Sequence, residues 1–221
     1  MSYKIAIDGP ASSGKSTVAK IIAKNNDLVF ISTGYLFRAY ALILRNNNLL
    51  ESTPDAVISF LKKRMIEVKN ERLFIDGKDY TNESKSEQIS DFASDLATKD
   101  YIRAYYNHVV QEMIENMNVV MDGRDIGTII MPNANLKIYL TASITERARR
   151  RTKELKELGK KVSFYKIWLD IYKRDYVDKH RKIAPLKKAK DAILIKTNKK
   201  SIQEVVDAIQ KHINNTRKVE K

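Results

Sequence analysis

A parallel α/β sheet wrapped by helices is predicted by three features of the sequence. Residues 3–8 form an apolar run that reads as a buried strand, and Val18, Ile21 and Ile22 follow at the i, i+3, i+4 spacing of a helix. A second apolar run, residues 28–31, leads into Ser32-Thr33-Gly34 and a helical stretch to about Asn48, so the chain opens β-α-β-α. Between the first strand and its helix stands Gly9-Pro10-Ala11-Ser12-Ser13-Gly14-Lys15-Ser16-Thr17, which holds a complete G-x-x-x-x-G-K-[ST] pattern in the context that makes it a phosphate loop.

The physics of that loop supports nucleotide binding. Gly9 and Gly14 allow a tight turn with the backbone N–H groups directed inward, and the following helix adds the positive end of its dipole. Lys15 is expected to reach the terminal phosphates, and the Ser16 hydroxyl to ligate Mg²⁺. A glycine-rich turn that merely joins strand to helix is the plainer alternative, disfavoured because every position of the pattern is filled.

Composition narrows the chemistry. The 221 residues fit one domain, with room for an inserted subdomain, and can bury a substantial core. With no cysteine, disulfides, thiolate metal sites and cysteine nucleophiles are excluded. No signal-peptide pattern or long apolar segment is present, so a soluble cytoplasmic protein is expected, with no membrane contact. The net charge of +14 is uneven: seventeen basic and five acidic residues lie between Arg147 and Lys190. Such a segment implies an anionic partner, either nucleic acid or a small polyphosphate, although scattered lysines also serve solubility.

Along the rest of the chain, Thr53-Pro54 reads as an N-cap with proline in the first helical position, opening a helix to about Arg64. Three short strand-like pieces follow, residues 65–69, 73–76 and 78–81, separated by Asn70-Glu71 and by Asp76-Gly77, a hairpin turn signal. They predict a small antiparallel insertion at about 65–81 that leans on the main domain. A helical pattern from Glu87 to about Met117 carries Ser94 and Arg103. Val119-Val120-Met121-Asp122 is a further buried strand, and it runs into Gly123-Arg124-Asp125. Charges at a strand's carboxyl end lie where sites form in parallel sheets, though a self-satisfied surface pair fits that position equally well. Thr33 and Arg38 fall at the same end of the sheet, and Thr33 is alternatively a simple N-cap.

Residues 136–140 form another strand. Ser143-x-x-Glu146 is a capping box opening a helix with Arg147, Arg149, Arg150 and Arg151, and Gly159 ends it. The next helix, from about Ser163 to Lys179, carries Arg174 and Asp178, and the spacings of four and three put Arg181 on the same face if the helix reaches that far; a solvated ion-pair ladder is the alternative. Trp168 and Tyr172 are expected as core or hinge packing. Residues 192–195 supply the last strand, Ser201-x-x-Glu204 caps the last helix, and the tail from Asn215 is expected to fray. The three histidines are too few and too poorly spaced for a metal site.

Four of these segments together resemble the bacterial cytidylate kinase family: Ile7 to Thr17, Ser32-Thr33-Gly34-Tyr35-Leu36-Phe37-Arg38, Asp122-Gly123-Arg124-Asp125-Ile126-Gly127-Thr128, and Arg174-Asp175 with Asp178, Arg181 and Ala184-Pro185-Leu186. The likeness runs from about Lys4 to Ile209, and the order and spacing of the motifs are more specific than any one of them. It implies the P-loop nucleoside monophosphate kinase fold, a five-stranded parallel sheet with a small inserted three-stranded antiparallel sheet. It also implies a single kinase domain with an arginine-rich lid at about 147–165. The implied reaction moves the terminal phosphoryl group of ATP to CMP or dCMP, with Mg²⁺ and without nucleic acid as substrate, in a chain taken to be a monomer.

Site roles follow from the same resemblance. Residues 9–17 with Arg147, Arg150 and Arg151 would bind ATP, and Ser94, Arg103 and Asp125 would read the cytosine edge. Thr33, Arg174 and Asp178 would address the sugar, and Arg38, Arg124 and Arg181 the CMP phosphate. Lys15, Arg124, Arg151 and Arg181 would be catalytic, and Ser16 would hold the metal. Two positions depart from the family: Ser32 replaces the usual Asp, and Ser84-Lys85 the usual Ile-Arg after the insertion. A kinase for another small acceptor and, more remotely, a nucleic-acid-binding P-loop ATPase are the rival readings.

Overall fold

The computed structural model describes residues 2–69 and 72–219, with the side chains of residues 218 and 219 left aside; the Asn70-Glu71 turn lies outside this range. In chain order the elements begin with β1 (Lys4–Asp8), α1 (Lys15–Asn25), β2 (Val29–Ser32), α2 (Thr33–Asn46) and α3 (Pro54–Leu61). They continue with β3 (Ile66–Lys69), β4 (Arg72–Ile75), β5 (Lys78–Asp79), α4 (Thr81–Ser84), α5 (Glu87–Leu96) and α6 (Asp100–Met113). After β6 (Val119–Gly123) a single π-helical turn, Ile126–Ile130, precedes β7 (Leu136–Thr141), α7 (Ile144–Glu157), α8 (Phe164–His180), β8 (Ile193–Lys196) and α9 (Ile202–Val219). By compactness the chain divides into two units, Met1–Ile31 with Met113–Lys221, and Ser32–Glu112.

The first unit is built on the five-stranded parallel sheet, ordered β2-β6-β1-β7-β8. β1 lies at its centre, in parallel register with β6 (Ile7 opposite Asp122, Asp8 opposite Gly123) and with β7 (Asp8 opposite Tyr139). Strands covered on both faces read as continuous apolar runs, which is why Ile5, Ile7, Val120, Ile138 and Leu140 are all buried. They join Val18 and Ile22 of α1 and Val205, Val206, Ile209 and Ile213 of α9 in one core cluster. Helix ends follow the sequence signals. Ser201 and Glu204 exchange both capping-box hydrogen bonds, at 2.7 and 3.2 Å, and Ser143 Oγ accepts the Glu146 N–H at 3.3 Å. The Glu146 carboxylate does not complete the second box but pairs with Arg149 and Arg150. α9 continues through Asn215 to Val219, past the expected fraying point, with Glu220 and Lys221 outside the described residues.

The second unit gathers α2 to α6 with the three-stranded antiparallel sheet, ordered β3-β4-β5. Thr53 Oγ1 accepts from Ala56 N and Pro54 opens α3, and Asp76 and Gly77 take positive φ values of 50° and 80° in the hairpin. The helical pattern after Glu87 is two helices, not one, because the chain turns over residues 97–99. Phe37 of α2 stacks on Tyr106 of α6 with ring centroids 4.4 Å apart, inside a core that includes Leu44, Leu61, Leu73, Ile89 and Ile102. Of the two departures, Ser32 is the residue preceding α2, which makes Thr33 the first helical residue and not its cap. Ser84 is fully buried and donates to the Thr81 carbonyl at 2.8 Å, beside an exposed Lys85.

Candidate active site

Local backbone geometry explains each special residue of the phosphate loop. Gly9 has φ 151°, and a Cβ there would lie 2.0 Å from the Leu140 carbonyl oxygen, so β7 leaves no space for a side chain. Gly14 is left-handed at φ 89° and starts α1. No side chain caps α1 and no acid stands in its first turn, so its leading N–H groups and dipole remain for an anion. Lys15 is buried and donates to the Pro10 carbonyl at 2.7 Å and to Ser13 Oγ at 3.3 Å. Burial, then the charge of Arg124, push its ammonium well below the ordinary lysine value, against the pull of Asp122, Asp8 and Asp178. A phosphate in the loop would supply the counter-charge that favours the protonated form.

Ser16 Oγ donates to Asp122 Oδ2 at 2.5 Å, and Asp122 is itself buried on β6. A hydroxyl and a carboxylate side by side beside a phosphate loop are hard oxygen donors and fit Mg²⁺, which keeps water and phosphate oxygens in the rest of its shell. Asp122 had no assigned role in the sequence; its place at the end of an apolar run was the available signal.

The loop is also gripped from behind. Arg147 donates to the Ala11 carbonyl at 2.9 Å and to the Ala142 carbonyl at 3.0 Å, and pairs with Asp175 at 2.6 Å. Asp175 in turn accepts the Ala11 N–H at 3.2 Å, so the pair holds one loop residue by both its neighbouring backbone groups. Arg147 is therefore a buried wall of the loop. Arg150 is held by Glu146 at 2.9 Å and by Thr197 Oγ1 at 3.1 Å, whereas Arg151 is 40% exposed and pairs with Glu154.

At the carboxyl end of the sheet a second cluster forms. Arg124 Nε donates to Asp178 at 2.7 Å; Arg181 lies 3.8 Å from Asp178 and 3.5 Å from Asp125, with its Nε on the Ala184 carbonyl at 2.6 Å. Burial pushes the Asp178 carboxyl up, but Arg124, Arg174 and Arg181 outweigh it and hold the group below the usual carboxylate range. The same carboxylate, with Asp122 and Asp175, keeps Arg124 protonated despite its own burial. This is neither a solvated ladder nor a self-contained surface pair: three arginines from two segments converge on buried Asp178.

Asp8, at the end of β1, also had no assigned role. Its oxygens accept the N–H of Ile126 at 2.9 Å and of Gly127 at 2.8 Å. Burial pushes its carboxyl up to about 6, with Asp125 adding to the rise and the two N–H donors and Lys15 opposing it. The folded protein thus retains a proton that the unfolded chain, near 3.8, releases. Asp8 contributes stability fully below the unfolded value, and this contribution, on the order of 3 kcal/mol, is lost as pH rises through the folded value. Urea unfolding is expected to show wild-type stability falling relative to Asp8→Asn between about pH 4 and pH 7; parallel profiles would contradict it.

Within the second unit, Thr33 and Arg38 lie on α2, Arg38 with its guanidinium alongside Gly34, and Ser94 is half-buried on α5. Arg103 of α6 is 2% exposed, donates to the Ala97 carbonyl at 2.9 Å, and lies over the Phe37 ring at 5.2 Å. Trp168 and Tyr172, expected as packing, instead stack on each other at 5.7 Å with Tyr172 exposed.

The family model described as cytidylate kinase matches residues 5–215. A cytidylate kinase of Clostridium tetani is 41% identical over 216 residues, covering 98% of this chain and 96% of the relative. One of Thermotoga maritima is 40% identical over 212 residues, covering 96% of each. Among solved structures, an uncharacterized protein from Eubacterium ventriosum aligns with a TM-score of 0.54 at 16% identity over 97% of this chain and 99% of the other, a likeness of fold. The chain belongs to the cytidylate kinase family and is an ATP-dependent phosphotransferase.

Proposed function

We infer that the chain transfers the terminal phosphoryl group of ATP to CMP or dCMP, releasing ADP and CDP or dCDP, and that the residues assigned above divide between donor and acceptor. The observation that carries the division is electrostatic: Lys15 of the donor loop is buried within reach of Arg124, which is tied to Asp178 and, through it, to Arg181. Phosphoryl transfer asks for charge neutralisation around the moving group, in-line placement and exclusion of water, with little covalent work. Lys15 and the α1 N-terminus would hold the donor phosphates, while Arg124 and Arg181 would face the acceptor phosphate. Ser16 and Asp122 would hold Mg²⁺, which supplies neutralisation of the β- and γ-phosphate oxygens.

Acceptor choice rests on Asp125, Arg103 and Ser94. A carboxylate accepting from the exocyclic amine and an arginine donating to the ring acceptors distinguish cytosine from uracil, whose pattern is reversed there. Thr33, Arg174 and Asp178 would address the sugar, Arg38 the acceptor phosphate. Arg147 would serve ATP from behind the loop, Arg150 and Arg151 would close over it, and Arg151, whose ion pair with Glu154 is solvent-exposed, is suited to a transition-state contact. On this reading the protein is a cytoplasmic monomer; among the described residues no helix is long and apolar enough to cross a membrane.

Steady-state kinetics of Asp178→Ala test the division. Its KM for CMP should rise roughly 10–100-fold, the loss of hydrogen bonding to a charged group. KM for ATP should stay within about threefold. Equal losses on both substrates would argue against the assigned roles.

A further inference from the structure

We propose that Asp8 is a positioning residue for acceptor recognition, fixing the Arg124-Asp125 dipeptide from both sides; this rests on the reading that those two residues contact CMP. Asp8 closes β1, next to the first glycine of the phosphate loop, and its backbone stands in register with Gly123 on β6. Its carboxylate then reaches past the dipeptide and accepts the N–H groups of Ile126 and Gly127, at 2.9 and 2.8 Å. One residue therefore sets the backbone immediately before Arg124 and immediately after Asp125.

Those two N–H groups open the π-helical turn Ile126–Ile130 and have no acceptor inside it. An aspartate in the N-cap position ordinarily supplies that acceptor itself. Asp125 occupies the position and makes no such bond. With Asp8 capping the turn, the Asp125 side chain lies 3.5 Å from Arg181, where on the reading above it would meet the acceptor base. A Cβ at Gly127 would meet Asp8 Oδ2 at 3.4 Å, an ordinary contact distance, and the Lys137 side chain more tightly at 3.2 Å. Burial pushes the Asp8 carboxyl up to about 6, so the position keeps an acid at some cost to the fold.

Asp8→Asn is nearly isosteric, but its amide nitrogen sets a donor against one of the two N–H groups. Kinetics with CMP, UMP and ATP are to be measured for wild type, Asp8→Asn, Asp125→Asn and the double variant. Asp8→Asn should raise KM for CMP about tenfold and lower the CMP/UMP ratio of kcat/KM about tenfold, with KM for ATP within about threefold. The ratio is independent of how much enzyme is folded, so simple destabilisation would not move it. In the double variant the losses should be less than multiplicative, since both act on one side chain's placement. An unchanged CMP/UMP ratio in Asp8→Asn, or fully multiplicative losses, would overturn the proposal. Wild-type selectivity in Asp125→Asn would overturn the acceptor reading on which it rests.

Discussion

Lys15→Ala is expected to lower kcat by about 10²–10³-fold, the range for removing one preorganised cationic or hydrogen-bonding group from a developing charge. The apo protein should lose little stability. In the absence of nucleotide the ammonium is buried against the Pro10 carbonyl and Ser13 Oγ, and its pKa is driven down because the charged form is poorly accommodated there. Removing it takes away a burial cost along with two hydrogen bonds. Single-turnover rates and thermal melts read the two effects separately: slow chemistry in a normally folded protein is the expected pair, and an unfolded variant would show that Lys15 holds the loop rather than the phosphate.

Gly9→Ala should do the reverse, breaking the fold before the chemistry. The new methyl would lie 2.0 Å from the Leu140 oxygen and 3.0 Å from the Leu140 carbonyl carbon, both backbone atoms of β7, at a φ of 151°. Relief requires parting β1 from β7 in the centre of the sheet, where Asp8 pairs with Tyr139. A loss of about 3–5 kcal/mol and a melting temperature lower by roughly 10 °C are expected. Gly14→Ala is the control. Its φ is also positive, at 89°, but nothing lies within 4 Å of an added Cβ, so only the conformational strain of about 1–2 kcal/mol remains. Equal melting temperatures for the two variants would refute the steric account.

The contrast between these glycines shows what was legible in the sequence. A residue type imposed by local backbone, such as Gly14, or by strand and helix periodicity, such as the β1 and α9 apolar positions, can be read directly. The antiparallel insertion was legible through Asp76-Gly77, because that pair fits a turn with two positive φ values. Residues that act across long sequence separations were not legible in the same way. Asp8 caps a turn at residues 126–127, and Asp175 grips Ala11. Each looks in sequence like an ordinary carboxylate near an element end. Arg147 stood out as one of an arginine run, yet nothing local distinguishes it, buried on Asp175, from Arg151, which is 40% exposed. The break at residues 97–99 carries no proline or glycine signal, and Gly127 inside the π-helical turn does not by itself announce that turn.

The central claim, phosphoryl transfer to a cytosine nucleotide, is tested most directly by one acceptor panel at fixed Mg-ATP, with CMP, dCMP, UMP, AMP and GMP compared by kcat/KM. The prediction is ADP formation with CMP and dCMP at least about 100-fold more efficient than with the others, the discrimination expected when a site built for one hydrogen-bond pattern meets the reversed one. Phosphorylation of UMP as efficient as that of CMP would contradict it.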